Sequence, residues 1–322
     1  EQRADIEKFT KDKELQKEYT QRVFPELLES LRRDTTCGVF LVMANDQPIG
    51  APGDFTGFFL RDSDPVTKVD TNSDLLLERG DKTLARQWGI TLDNSWSPAF
   101  RFQGKGIRES DDFFYEPYTA GMAHTGVDMA SLGYWSMPFI LEDYEMDNHK
   151  MITYSVPLVN DGVIYGVVGT EVSVSYLCNT YFRVQDLNRQ QTAGYAIAVD
   201  NGDGTYENIA GKGNLYDAVQ RENGIFKLES TKHEDLFKVK DSKIGTQEIY
   251  ALFSKMNLYA NNVPYKNTNW VLCGFVAEDS IFSLGDKLYS DILTTIVACA
   301  VLGLVIMSVV IRCVTRPVYR LM

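Results

Sequence analysis

The chain has 322 residues, 44% of them hydrophobic and 24% charged, with a formal net charge of −12. That balance suits folded domains with sizeable cores and excludes a disordered or fibrous chain. It also excludes nucleic acid as a partner, because phosphate contacts need a basic stripe and an acidic surface repels them.

Residues 1–34 are charge-rich, with Ile6, Phe9, Tyr19, Val23, Leu27 and Leu31 at the three-and-four spacing of one helical face. They predict one long helix, bent at Pro25. Glu1-Gln-Arg-Ala-Asp lacks the basic start and apolar stretch of a signal peptide. The expectation is a membrane segment ahead of Glu1, with a cleaved signal peptide as the alternative.

Residues 35–190 change to short runs of β character: "CGVFLVMA", "TGFFLRD", "PAFRFQG", "MITYSVPLV" and "VIYGVVGTEV", separated by Gly, Pro, Asn and Asp. The class is α+β. Asp161-Gly162 supplies the positive backbone angles that a tight hairpin needs between the last two runs. Residues 191–285 form a second module, in which "AGYAIAVDNGDGTYENIAG" is a strand pair and "GTQEIYALFSKMNLY" with "NWVLCGFVAED" another. The modules rhyme: Tyr165 to Gly169 is followed by Ser175 and Leu177, and Trp270 to Gly274 is followed at the same offsets by Ser280 and Phe282. A duplicated strand-then-helix unit is one reading and chance the other.

Residues 286–311 continue a helix that starts near Asp279 and predict a transmembrane segment. From Ile292 to Ile311 no charge occurs, and about twenty residues make about 30 Å of helix, a bilayer's hydrocarbon thickness. Residues 312–322 carry Arg312, Arg316 and Arg320, whereas Asp286 and Asp291 precede the span. By the positive-inside tendency the C-terminus is cytoplasmic and residues 1–291 are extracytoplasmic.

Cys37, Cys178 and Cys273 are an odd, widely spaced outer trio, which is no disulfide framework. No asparagine heads an Asn-X-Ser/Thr sequon, which favours a bacterial envelope. "DNGDGT" fails as a calcium loop, since Gly202 and Gly211 stand where ligands belong, and it reads as a hairpin turn. His124, His149 and His233 lack paired-ligand spacing. No catalytic set, metal centre or cofactor is predicted. Aromatic density is the stronger signal: "FFYEPY", "GYWSMPF" and "ITYSVP" interleave rings with acids and hydroxyls, which suits either a strand core or a small-molecule pocket.

Taken together, "GFFLRDSDP", "NSDLLLERGD", "YWSMPF", "MITYSVPLVNDGVIYGVVGTEVSVSYL" and "NWVLCGFVAEDSIF" resemble the double-Cache extracellular sensors of bacterial receptors over nearly all of residues 1–290. The tail "IRCVTRPVYRLM" is similar to the entry of a HAMP linker, with Arg316-Pro317 at its first helix. The resemblance implies two tandem PAS-like modules on a helical spine, with ligand in the membrane-distal one. Its implied ligand-binding residues are Asp111, Tyr115, Trp135, Ser136, Tyr154 and Glu171. The family's amino-acid binders carry an Arg-X-Trp-Tyr motif and an Asp. Here "RESDDFFYEPY" lacks the motif and Glu171 replaces the Asp, so an amine or an uncharged metabolite is as consistent as an α-amino acid. A homodimer in the cell membrane is the expected assembly. A membrane-tethered hydrolase using Asp111 or Glu171 with Ser136, and an adhesion ectodomain, remain the alternatives.

Overall fold

Two helices, not one, open the chain in the computed structural model, which describes residues 2–310 except 34–35, 49, 68, 70, 125, 142–149, 181, 183–192, 221–223, 234, 260–262 and 266–268. Helix α1 spans Gln2–Phe9 and α2 spans Lys13–Arg33. The break falls at residues 10–12 because Asp12 starts a new helix, its Oδ1 accepting the N–H groups of Glu14 and Leu15 at 3.1 and 3.2 Å. Gln16 fastens the corner, donating to the carbonyls of Phe9, Thr10 and Ala44. Pro25, the expected bend, lies inside α2 and does not end it.

A seven-stranded sheet follows, built from β1 (Gly38–Met43), β3 (Gly57–Asp62), β4 (Leu75–Arg79), β5 (Thr91–Ser97), β7 (Tyr134–Trp135), β8 (Met151–Asn160) and β9 (Val163–Ser173). Its order is β5-β4-β3-β1-β9-β8-β7, so β1 is central and buried along its whole length, as its near-continuous apolar run requires. The β8–β9 hairpin turns at Asp161 and Gly162, with φ of 49° and 73°, as the Asp-Gly pair predicts.

Alternation along β1 divides the core in two. Val39, Leu41 and Met43 face α2, where Phe24, Leu28 and Leu31 are buried against them with Phe58, Leu60 and Leu77. The second layer, on the opposite face, joins Phe40, Val42 and Phe59 to Phe113, Phe114 and Tyr115 of helix α4 (Asp112–Ala123). A short ribbon of β2 (Gly53–Phe55) and β6 (Phe100–Phe102) covers this layer. Helix α3 (Lys82–Trp88) bridges β4 and β5, and α5 (Val174–Thr180) follows β9 directly.

The second module is a closed barrel of six strands: β10 (Ala193–Asp200), β11 (Thr205–Lys212), β12 (Ile225–Ser230), β13 (Phe237–Ile244), β14 (Gln247–Lys255) and β15 (Trp270–Ala277). Helix α6 (Asn214–Val219) packs Leu215, Tyr216 and Val219 into a core with Ala196, Ala198, Ala251 and Ala277. Small side chains make the space: a Cβ on Gly211 would lie 2.2 Å from the Tyr216 ring. The turn of "DNGDGT" is a hairpin turn, with Asp200 and Asp203 accepting the N–H groups of Gly202 and Thr205 at 2.8 and 2.9 Å.

The two modules share a plan without sharing closure. In each, the first strand pairs antiparallel with the last, the last pairs with the strand before it, and the last passes straight into a helix. After β15 that helix is α7, Glu278–Val310, 33 residues and about 50 Å long. Gly285 does not interrupt it. Its first turn is tied to β14: Gln247 donates to the Asp279 carboxylate, and the Glu248 N–H donates to Glu278 at 3.3 Å. Among the described residues no helix is long and apolar enough to cross a membrane. The side chains of 303–310 and all of 311–322 lie outside the described residues, so the expected span over 292–311 is only partly covered and the HAMP-like start not at all.

Candidate functional site

On the α4 side of the distal sheet, strand register places a row of polar residues where a core would ordinarily be apolar. Gly38 of β1 lies opposite Arg61 of β3 on one side and Glu171 of β9 on the other, and Glu171 lies opposite Thr153 of β8. Because Gly38 has no side chain, the Glu171 carboxylate reaches over β1 towards Arg61, Oε2 to Nε 3.5 Å. A Cβ there would sit 2.5 Å from that oxygen. Arg61 also pairs with Glu78 of β4 through Nη2. Thr153 continues the row to Ser136, whose Oγ accepts the Thr153 N–H at 2.9 Å and lies 3.1 Å from its hydroxyl.

All of these side chains are buried, Glu171 and Thr153 completely. Burying charge is costly unless it is paired, and Glu78 and Glu171 both turn to Arg61. Burial pushes the Glu78 carboxyl up to about 8, with the Arg61 charge opposing and the Glu171 and Asp93 charges reinforcing the rise. Burial likewise pushes the nearby Cys37 thiol up to about 12. One residue pair further along the same face, Ser155 lies opposite Gly169 and Tyr134. The buried Ser155 hydroxyl finds no hydrogen-bond partner among the described residues.

Helix α4 brings acids to this face. Asp112 is half-buried, and burial with the Glu116 and Glu109 charges pushes its carboxyl up to about 6. Tyr134 is pushed up by burial and by the Asp112 charge. Its ring packs 5.3 Å from that of Tyr265, which in turn lies 5.2 Å from Tyr259. Those two tyrosines come from the second module and bind its neighbour: the Tyr265 hydroxyl donates to the Leu132 carbonyl at 2.8 Å, and the Tyr259 hydroxyl accepts the Trp135 N–H at 2.9 Å and donates to the Trp135 carbonyl at 3.3 Å.

The six residues expected to line one pocket fall into four settings. Asp111 is a structural carboxylate, its Oδ2 accepting the Gln103 N–H at 2.8 Å and its Oδ1 the Arg108 guanidinium at 3.0 and 3.1 Å. Tyr115 is a core ring whose hydroxyl donates to the Ala51 carbonyl at 2.8 Å. Trp135 and Tyr154 pair across β7 and β8 with ring centroids 4.9 Å apart, on the face opposite Thr153, and Trp135 packs towards Ile197, Ile209 and Trp270 of the barrel. Ser136 and Glu171 alone share the polar row. Ser136 is held by Thr153, and among the described residues no carboxylate is hydrogen-bonded to it.

Arg61, Glu78, Thr153 and Ser155 were not among the expected residues, whereas Tyr134 belongs to the aromatic run "GYWSMPF". A signal for Arg61 exists in "GFFLRD": inward positions of that strand are Gly57, Phe59 and Arg61, and a cation there needs a buried counter-charge.

No family model matches the chain, and no curated protein matches it. Solved structures do. The extracellular domain of a protein assigned as a histidine kinase, soHK1S-Z6, is 13% identical with a TM-score of 0.41 over 87% of this chain and 86% of that one. The ligand-binding domain of the Pseudomonas aeruginosa PAO1 amino acid chemoreceptor PctB, in complex with L-Arg, is 14% identical with a TM-score of 0.36 over 83% and 78%. That of the Campylobacter jejuni chemoreceptor Tlp3, in complex with L-norvaline, is 13% identical with a TM-score of 0.36 over 81% and 73%. These TM-scores are all below 0.5.

Proposed function

We propose that the chain is the ligand-binding sensor region of a bacterial transmembrane receptor, homodimeric, with residues 1–291 outside the membrane. A small metabolite, amine-bearing or uncharged, is held on the α4 face of the distal sheet by Glu171, Ser155 and Tyr134. Glu171 faces Arg61, and the Asp112 and Glu116 charges both act on Tyr134, which makes that face a poor host for an anion. The observation that carries the reading is the junction at Ala277 and Glu278, where β15 becomes α7 with no intervening residue. A barrel displaced by ligand therefore moves a rod, not a loose tether.

Tyr259 and Tyr265 supply the link from pocket to barrel, because they touch the β7 region on one side and belong to the barrel module on the other. Further along α7, Ile292, Leu293, Ile296, Val297, Val301 and Leu302 are exposed, and Thr294 and Thr295 turn their hydroxyls back to the Ser290 and Asp291 carbonyls at 2.8 Å. Exposed apolar residues around a helix whose hydroxyls are internally satisfied suit lipid. The test is a thermal-shift titration of the purified chain with a metabolite panel: at least one compound raises Tm by mass action in the wild type and not in Glu171→Gln. Flat curves across a broad panel would overturn the proposal.

A further inference from the structure

A cleft lies on the α2 side of the distal module, away from the polar row. Its cavity volume is about 420 Å³, within the range that holds a small ligand. Phe55, Leu84 and Trp96 supply an apolar floor. The Trp96 indole is fixed, its Nε1 donating to the Gly80 carbonyl at 3.0 Å. Three lysines stand around it: Lys13 and Lys17 from the first turns of α2, and Lys82 from the start of α3.

The cleft's acids are already engaged, whereas several donors are not. Asp81 accepts the Thr83 N–H at 2.9 Å as the cap of α3, and Asp54 pairs with Arg101 at 3.8 Å across the β2–β6 ribbon. Lys17 is taken by Glu14 at 2.9 Å. Among the described residues Lys13 and Lys82 form no ion pair, and the side chains of Gln21 and Thr56, which line the same cleft, form no hydrogen bond. The Thr83 N–H, helped by the Lys17 and Lys82 charges, holds the Asp81 carboxyl below its ordinary value, and Lys13, Gln21 and Thr56 leave donors around a fixed indole, which suits an acceptor-rich anion on a flat apolar body.

We propose that this cleft binds a small planar ring carrying one anionic group, with the ring on Trp96 and the anion between Lys13 and Lys82. The charge preference is opposite to that of the polar row, so the two sites take different compounds. Occupancy would brace α2 against the β2–β6 ribbon and α3, elements that the polar row does not use.

Calorimetric titration of the whole chain with benzoate, phenyl phosphate, benzyl alcohol and inorganic phosphate tests it. Benzoate or phenyl phosphate, or both, should bind saturably, which distinguishes carboxylate from phosphate, while the neutral alcohol and free phosphate should not. The double variant Lys13→Gln/Lys82→Gln, at two exposed positions, should keep the wild-type Tm and weaken that binding by about tenfold or more. Glu171→Gln should leave it unchanged. Absence of saturable binding by both ring anions overturns the proposal, as does equal binding of inorganic phosphate or undiminished binding in the double variant. Binding lost in Glu171→Gln but kept in the double variant would place the probe on the polar row and overturn it too.

Discussion

Replacing Glu78 with Gln should remove a pH dependence of stability that the wild type shows between about pH 5 and 8. The carboxyl is almost wholly buried, and burial raises it from an ordinary 4.5 to about 8. The folded state therefore keeps a proton that the unfolded chain has released. Because the folded value is the higher one, the contribution is fully present below the unfolded value. It is lost as pH rises through the folded value. At 1.36 kcal/mol per unit the whole shift is worth roughly 5 kcal/mol, and the slope in the window is about 1.4 kcal/mol per pH unit. The charged groups acting on Glu78 are Arg61 on β3, Glu171 on β9, Asp93 on β5 and Arg79 on its own strand. Gln keeps the shape and an oxygen for Arg61, but cannot ionise. Urea unfolding at half-unit pH steps, wild type minus Glu78→Gln, isolates this group from the other carboxylates. A difference that rises steadily in favour of the variant from pH 5 to 8 agrees with the burial argument. Parallel curves would refute it, showing that Glu78 is ionised throughout and fully compensated by Arg61.

Tyr259→Phe removes the hydroxyl that bridges the Trp135 N–H and carbonyl, and should lower stability by about 1–3 kcal/mol, read from thermal or urea unfolding, because a half-buried N–H loses its acceptor. Gly169→Ala places a Cβ 2.4 Å from the Phe40 ring and 2.5 Å from the Tyr154 carbonyl, so the purified variant should unfold at a clearly lower Tm, a loss of about 1–3 kcal/mol. Leu215→Ala empties a fully buried position in the barrel core and should cost about 2–5 kcal/mol in the same assay. Cys37, its thiol pushed up to about 12 by burial, should resist a thiol-labelling reagent in the folded chain at pH 8 and react at once in urea.

Much of the architecture is legible in the sequence because local chemistry and tertiary packing agree there. Asp161-Gly162 can only turn, "GVFLVM" is apolar along its whole length and becomes the central strand, and "VIYGVVGTEVS" and "WVLCGFVA" each run on into a helix. The break between α1 and α2 is written in Asp12 and Gln16, but Gln16 acts through the Ala44 carbonyl, a partner no local pattern reveals. Barrel closure is hidden for the same reason: it depends on β10 meeting β15, residues far apart in the chain.

The site is less legible than the fold. Asp111 and Tyr115 look like pocket residues in "SDDFFYEPY", yet a backbone N–H and Arg108 take the acid, and the Ala51 carbonyl takes the hydroxyl. Glu171 lies within β9, whose register with β1 and β8 fixes its face. Its counterpart Arg61 could be recognised as inward-facing, but the link to Glu171 passes over Gly38 and needs the order β3-β1-β9. Tyr259 and Tyr265 lie more than a hundred residues from the segment they hold, and a sequence pattern has no means to pair them.

Cross-linking at position 301 of the whole chain in lipid, with Val301→Cys and Cys299→Ser, asks whether pocket and helix move together. A metabolite that raises Tm should also change the yield of the cross-linked dimer, and Glu171→Gln should abolish both responses. A compound that stabilises the wild type through Glu171 while leaving the yield unchanged would contradict this coupling.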